Sequence, residues 1–148
     1  MGTPVVLLFS GSYKYSLDDK NRLIIPVKFR EILAAESVEK LYIAKGDSHL
    51  FAFPLPVFVE LSKQLKSLSF TNESKQNYVR MIFSNAYDVT PDKQGRIILP
   101  KEQCEKVGIS SEAIVIGVLD RMEIWSPEKW ADFYDKATLR GLSANLEL

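Results

Sequence analysis

Two stretches, Asp18-Asp-Lys-Asn-Arg-Leu-Ile-Ile-Pro26 and Asp92-Lys-Gln-Gly-Arg-Ile-Ile-Leu-Pro100, carry one pattern: an aspartate, an arginine four residues on, three aliphatics and a proline. They stand 74 residues apart, and Tyr13 and Tyr87 keep that offset. Downstream, Leu41–Gly46 matches Ala113–Val118 and Leu50–Phe53 matches Met122–Trp125 at an offset of 72, which a two-residue deletion between the blocks explains. Phe58 and Trp130 fall in the same register. Self-similarity at a fixed spacing marks an internal duplication. The chain therefore reads as two copies of one unit, residues 12–55 with a closing helix to about 68 and residues 83–126 with a closing helix to about 140.

Each unit can be read from its pattern. Alternation over 12–17 and 85–89 predicts a half-buried strand, and the aliphatic runs 23–25 and 97–99 predict a fully buried one. A tight turn separates them, with Asn21 and Gly95 at equivalent positions. These residue types best tolerate the positive φ that a hairpin turn or its adjoining bulge requires. Pro26 and Pro100 suit the first turn of a short helix, through Phe29, Ile32 and Leu33 in one unit and Cys104 and Val107 in the other, with Gly108 as a stop. A second strand pair follows, 41–45 with 50–53 and 113–118 with 122–125. Helices from Pro56 to Leu68 and from Pro127 to Leu139 close the units, and the polar residues 69–77 form the connector. The fold class expected is α+β, mainly β, with pseudo-twofold symmetry.

At 148 residues the chain is one compact domain or two very small ones. Its hydrophobic share of 46% is enough for a core, which excludes disordered, collagen-like and low-complexity classes. Lys+Arg and Asp+Glu are 19 each, so the net charge is zero and bulk attraction to a polyanion is excluded. Local charge is another matter. Residues 10–30 hold Lys14, Lys20, Arg22, Lys28 and Arg30 against Asp18 and Asp19, a local +3, whereas residues 120–148 sum to −2. One cysteine, Cys104, can form neither an internal disulfide nor a thiolate cage, so a reducing, cytoplasmic setting is expected. The apolar run 4–9 is too short for a signal peptide, and no stretch approaches the roughly 20 residues of a membrane span, so neither export nor a membrane partner is expected.

The D-x-x-x-R element is the constellation that recurs with its chemistry intact. On a helix it would be an ordinary surface ion pair, but the Asn or Gly before each Arg argues for a turn. There the Asp can accept turn N–H groups or hold the Arg, projecting a guanidinium from a braced loop. Such a group suits phosphate, or guanine O6 and N7 in a major groove that admits a two-stranded ribbon. Two readings stay open on the residues alone: a structural turn with a solvated arginine, or a DNA contact assisted by Lys20 and Lys93.

The two motifs, the strand pattern after each, Ile124-Trp125 and Trp130 closely resemble the MraZ family of bacterial transcriptional regulators over about residues 8 to 140. The resemblance implies two tandem SpoVT-AbrB-like swapped-hairpin (double-psi-like) units, a double-stranded promoter DNA partner and a cytoplasmic, nucleoid-associated location. It implies a homo-oligomeric ring, octamer or dodecamer, bound to short direct repeats upstream of the division and cell wall gene cluster that usually contains its own gene. Matched to the family motif, Arg22 and Arg96 are the DNA-facing arginines and Asp18 and Asp92 its acidic members, with Lys20, Lys93, Asn21 and Gly95 completing the loops. Asn21 stands where Gly is usual and Gln94 where Lys is frequent, and the more basic first loop is expected to contribute more.

Rival readings have less behind them. An antitoxin on the same hairpin unit would carry one repeat and a flexible toxin-binding tail, and a purely structural ring would lack selective DNA binding. His49 is the single histidine and looks like a hairpin-loop residue, so no enzyme, cofactor, metal or small-molecule substrate is expected. Phe51, Phe53, Trp125 and Trp130 are expected in the core rather than stacking on bases. The tail from Thr138 to Leu148 reads either as disordered or as an arm onto a neighbouring subunit.

Overall fold

The first strand of each sequence unit pairs with the other unit and not with its own. In the computed structural model, which describes residues 6–67 and 72–146, the first unit contains β1 (Ser12–Ser16), β2 (Arg22–Ile24), α1 (Val27–Ala35), β3 (Leu41–Lys45), β4 (Leu50–Pro54) and α2 (Leu55–Lys66). After α3 (Glu73–Ser84) the second unit repeats the order: β5 (Tyr87–Val89), β6 (Arg96–Ile98), α4 (Lys101–Lys106), β7 (Glu112–Val118), β8 (Arg121–Trp125) and α5 (Pro127–Lys136), with α6 (Leu139–Ser143) behind it. The large sheet runs β1-β7-β8-β4-β3-β5, and β2 with β6 makes a separate two-stranded ribbon. Exchanging the units maps that strand order onto itself. The hairpins expected at 41–53 and 113–125 are present, antiparallel throughout.

The pseudo-twofold axis can be placed from the registers. In the ribbon Leu23 faces Ile97, its own counterpart, and at the sheet centre Phe51 faces its counterpart Glu123. Leu23 and Ile97 are 0% and 1% exposed and meet Ile25, Leu99, Phe29, Val107, Val115 and Ile124 in one core built from both units. Cross-unit ion pairs also obey the symmetry, with polarity reversed. Lys14 faces Glu112 at 3.7 Å, and at the equivalent place Asp88 faces Lys40 at 3.1 Å.

Several expectations need correction. The aliphatic runs are not buried throughout. Leu23, Ile25, Ile97 and Leu99 point into the core, but Ile24 is half-buried and Ile98 is 58% exposed, because a ribbon lying on a core has only one covered face. The turn between β1 and β2 closes as expected, yet the strands diverge at once to partners in the other unit. Pro26 and Pro100 sit at the N-cap of α1 and α4, one place before the expected first turn, and Gly108, just past the Val107 C-cap of α4, has φ +80°. Residues 73–77, expected in a connector, are the first turns of α3. Asn72 caps it by accepting the Lys75 N–H at 2.9 Å, and Phe83 rests on Phe58 with ring centroids 5.1 Å apart. Leu68 and residues 69–71 lie outside the described residues, as do 147 and 148.

The helix expected over 127–139 is two. α5 stops at Ala137, which is extended, and Thr138 starts α6 by accepting the Gly141 N–H at 3.0 Å. Of the four aromatics expected in the core, Phe53 and Trp125 are buried and Phe51 and Trp130 partly so; Phe133 and Tyr134, also on α5, are exposed.

An isolated second unit therefore loses β1 and β3, the partners of β7 and β5. A fragment of residues 82–148 is expected to be unfolded at neutral pH by far-UV circular dichroism, since it loses the half of the core that the first unit supplies, and a homotypic swap would leave the buried carbonyl behind the loop without the Asn21 or Arg30 donor. A folded monomer on sedimentation would contradict this.

Candidate nucleic-acid interface

Each D-x-x-x-R loop is held by the same five hydrogen bonds. In the first, Asn21 N–H donates to the Asp18 carbonyl (3.0 Å) and Asp18 N–H to the Arg22 carbonyl (3.1 Å). Asp18 Oδ1 accepts the Lys20 and Arg22 N–H groups at 3.0 and 2.8 Å, and Oδ2 accepts Arg22 Nε at 2.6 Å. In the second, Gly95 N–H donates to the Asp92 carbonyl and Asp92 N–H to the Arg96 carbonyl, both at 2.9 Å. Asp92 Oδ1 accepts the Gln94 and Arg96 N–H groups and Oδ2 accepts Arg96 Nε, all at 2.9 Å. The Asp thus does both tasks the sequence suggested, stapling the turn and holding the Arg.

Positive φ is required where expected, +59° at Asn21 and +79° at Gly95. Because the carboxylate accepts from Nε, neither arginine spends an Nη donor on its own loop's aspartate. The Arg22 backbone N–H foremost, with its guanidinium and the Lys20 N–H, outweighs partial desolvation and holds the Asp18 carboxyl below its usual range. Asp92 is held down in the same way by Arg96 and Gln94.

The ribbon brings the two loops together. Leu23 and Ile97 face the core, so Arg22, Ile24, Arg96 and Ile98 share the opposite face in the register Arg22 with Ile98 and Ile24 with Arg96. Arg96 Nη1 comes within 3.8 Å of Asp18 Oδ2, which joins both motifs in one cluster. Lys20 and Lys93 are exposed at the turn tips.

Two features were missed in the sequence. Ile24 and Ile98 add an apolar surface between the arginines. Arg30, counted with the basic stretch of the first unit, lies against the second loop, with Nη1 3.4 Å from the Gln94 carbonyl, so the local positive charge is shared between the loops. The signal was a pair of complementary differences: Arg30 stands where the second unit has Cys104, and Asn21 where it has Gly95.

His49 is more connected than a loop residue. Its ring stacks on Trp125 (4.4 Å), meets Phe51 edge-on (4.7 Å), and lies 3.5 Å from Glu123 and 3.1 Å from Ser48 Oγ. Burial alone would raise the Glu123 carboxyl, but His49, then Trp125 Nε1 at 3.0 Å and the Arg121 charge, bring it below its usual range. With the imidazole clasped by two aromatic rings, this Ser-His-Glu alignment ties the start of β4 to β8 across the axis. Among the described residues no group of three or more potential ligands could hold a metal ion, and no helix is long and apolar enough to cross a membrane.

Fold and site together define an α+β protein, mainly antiparallel strand, of two units that exchange their first strands and present paired D-x-x-x-R loops. The MraZ protein family model, whose description also notes an antitoxin likeness, matches twice, at residues 8–81 and 82–147, and the chain belongs to the MraZ family. The chain is 43% identical to the transcriptional regulator MraZ of Clostridium beijerinckii over 127 residues, covering 85% of this chain and 87% of that one. It is 44% identical to the protein of the same name from Clostridium botulinum, covering 85% and 87%. With that of Desulforamulus reducens it shares 38% over 143 residues, 94% of this chain and 97% of the relative.

The lowered carboxyls give the loops a pH signature. A group whose folded pKa is depressed stabilises above its unfolded pKa, and that contribution is lost as pH falls through the folded value. Both loops are thus expected to be intact at pH 5–8 and to open only below about pH 4. The double variant D18N/D92N should flatten the acid limb of the melting-temperature profile between pH 2.5 and 5, and an unchanged limb would contradict the assignment.

Proposed function

We propose that the chain regulates transcription by sequence-specific binding of double-stranded promoter DNA through the two D-x-x-x-R loops. The observation that carries this is their juxtaposition: two identically stapled loops, with Arg22 and Arg96 on one exposed face of a ribbon whose width suits a major groove. Arg22 and Arg96 read base edges or hold phosphates through their Nη donors, and Lys20 and Lys93 contact the backbone from the turn tips. Asp18 and Asp92 aim the arginines, while Asn21 and Gly95 allow the turn. Exposed Ile98 supplies an apolar surface suited to a thymine methyl. The naming of the relatives as transcriptional regulators supports the same reading.

One subunit offers few cations, and each phosphate contact adds only a salt-dependent increment. Several subunits in a ring, octamer or dodecamer, would place further loops at neighbouring direct repeats and raise their effective concentration. The target in this reading is the chain's own upstream region, at the division and cell wall gene cluster, which puts the protein in the cytoplasm at the nucleoid. The purely structural ring remains as an outcome of the test.

Binding of the upstream fragment should weaken steeply with salt and resist scrambled competitor DNA. R22A and R96A should each raise Kd about 5- to 150-fold, from about 1–3 kcal/mol per specific contact. Circular dichroism and light-scattering mass should not change. Gel shifts over several salt concentrations measure this, and binding by both variants equal to that of the natural chain would leave the structural ring as the reading.

A further inference from the structure

The two loops are alike on the exposed face and different behind it. Behind the first, Asn21 turns inward. Its Nδ2 donates to the Leu99 carbonyl (2.6 Å) and lies 3.5 Å from Cys104 Sγ, while its own carbonyl accepts the Leu99 N–H at 3.0 Å. Behind the second loop Gly95 keeps the backbone half of this arrangement, its carbonyl accepting the Ile25 N–H at 2.7 Å. It has no side chain for the other half. The Ile25 carbonyl, equivalent to that of Leu99, takes its hydrogen bond from Arg30 Nε at 3.0 Å. The same guanidinium reaches on to the Gln94 carbonyl at 3.4 Å.

Arg30 and Cys104 occupy equivalent places on α1 and α4, so the helix residue is large where the loop residue is glycine and small where it is asparagine. The fit is close. A Cβ on residue 95 would fall 2.4 Å from Arg30 Cδ and 2.6 Å from its Nε. Asn at 95 would collide with Arg30, and loss of Arg30 leaves the carbonyl of wholly buried Ile25 without its side-chain donor.

We propose that Arg30 is a positioning residue for the second DNA-reading loop: by bridging the Ile25 and Gln94 carbonyls over Gly95 it fixes the backbone that aims Arg96. This rests on the loop reading of the preceding section. The charge of Arg30 is secondary, because the first loop achieves the same support with a neutral amide.

The test uses the full chain, in reducing buffer, with fluorescence anisotropy on the upstream DNA and thermal unfolding in parallel. R30A should weaken specific binding about tenfold, in the middle of the range for coupled contacts. R30K should weaken it similarly although it keeps the charge, since an ammonium cannot cover Gly95 while donating in the plane of a guanidinium. The double variant R30C/G95N installs the first loop's pair and should bind within about twofold of the natural chain although the charge is gone. R30A combined with R96A should cost little more than R96A alone, whereas with R22A the losses should multiply. If R30A does not fold, R30K and R30C/G95N carry the test.

Natural-strength binding by R30K, a double variant no better than R30A, or additive losses with R96A would overturn the proposal. Weakening by R22A and R96A with none by R30A would sink this inference alone. No weakening by either arginine variant would sink the loop reading itself.

Discussion

Leu23 against Ile97, counterpart against counterpart on the pseudo-twofold axis, is the contact on which the rest depends. A two-stranded ribbon is marginal in water by itself. This one persists because its inner face is wholly buried in a core contributed by both units, each such side chain contributing about 1.5–3 kcal/mol. That burial dictates the outer face. With residues 23, 25, 97 and 99 inward, the period of a strand forces Arg22 and Arg96 outward, on one side and diagonally across the ribbon from each other. The position of the candidate interface is thus a consequence of packing, and the aspartate staples only refine where each arginine points.

The repeat itself was plain in the sequence, since an aspartate, an arginine and a proline recurring at one offset leave little choice. Strands, turns and the glycine stop followed from local pattern, because alternation and positive-φ residues report on their immediate surroundings. Pairing partners did not. A hairpin closed on itself and a hairpin exchanged between units have the same periodicity and the same turn, so only the tertiary register distinguishes them. Ile24 and Ile98 misled for a related reason: three consecutive aliphatics look like a strand covered on both faces, whereas here the outer two-residue row borders the arginines. The polar stretch before Tyr78 hid a helix start, although Asn72 and Glu73 carried its N-terminal chemistry.

Two copies of one unit could pair like with like, and the differences between the copies oppose this. Exchanged among first units, Lys14 would meet Lys40 and Arg30 would meet Asn21; among second units, Asp88 would meet Glu112 and Cys104 would face Gly95. The mixed pairing found here turns each conflict into a fit. Magnitudes decide which matters more. The ion pairs are about half exposed, and such pairs are worth about 0–1 kcal/mol, so their reversal only tilts the choice. An unsatisfied buried carbonyl, as left where Cys104 would face Gly95, costs about 1–3 kcal/mol, and among first units Asn21 would crowd Arg30 as a Cβ on residue 95 would, so the Arg30 and Asn21 supports carry most of the discrimination.

The same arithmetic explains how a chain with no net charge can present a basic face. Its ion pairs are spent on structure: Lys14 and Lys40 hold edge strands to their partners, and Arg22 and Arg96 each hold their own loop's carboxylate through Nε, with Arg96 Nη1 also 3.8 Å from Asp18 Oδ2. Pairing through Nε orients a guanidinium without consuming its terminal donors, so the charge is neutralised in the sum yet remains available in direction. At the tips, Lys20 and Lys93 project into solvent beside each arginine. What a polyanion would meet is therefore set by geometry over a few ångströms, inside the Debye length of about 8 Å at physiological salt, where the total charge of the chain counts for little.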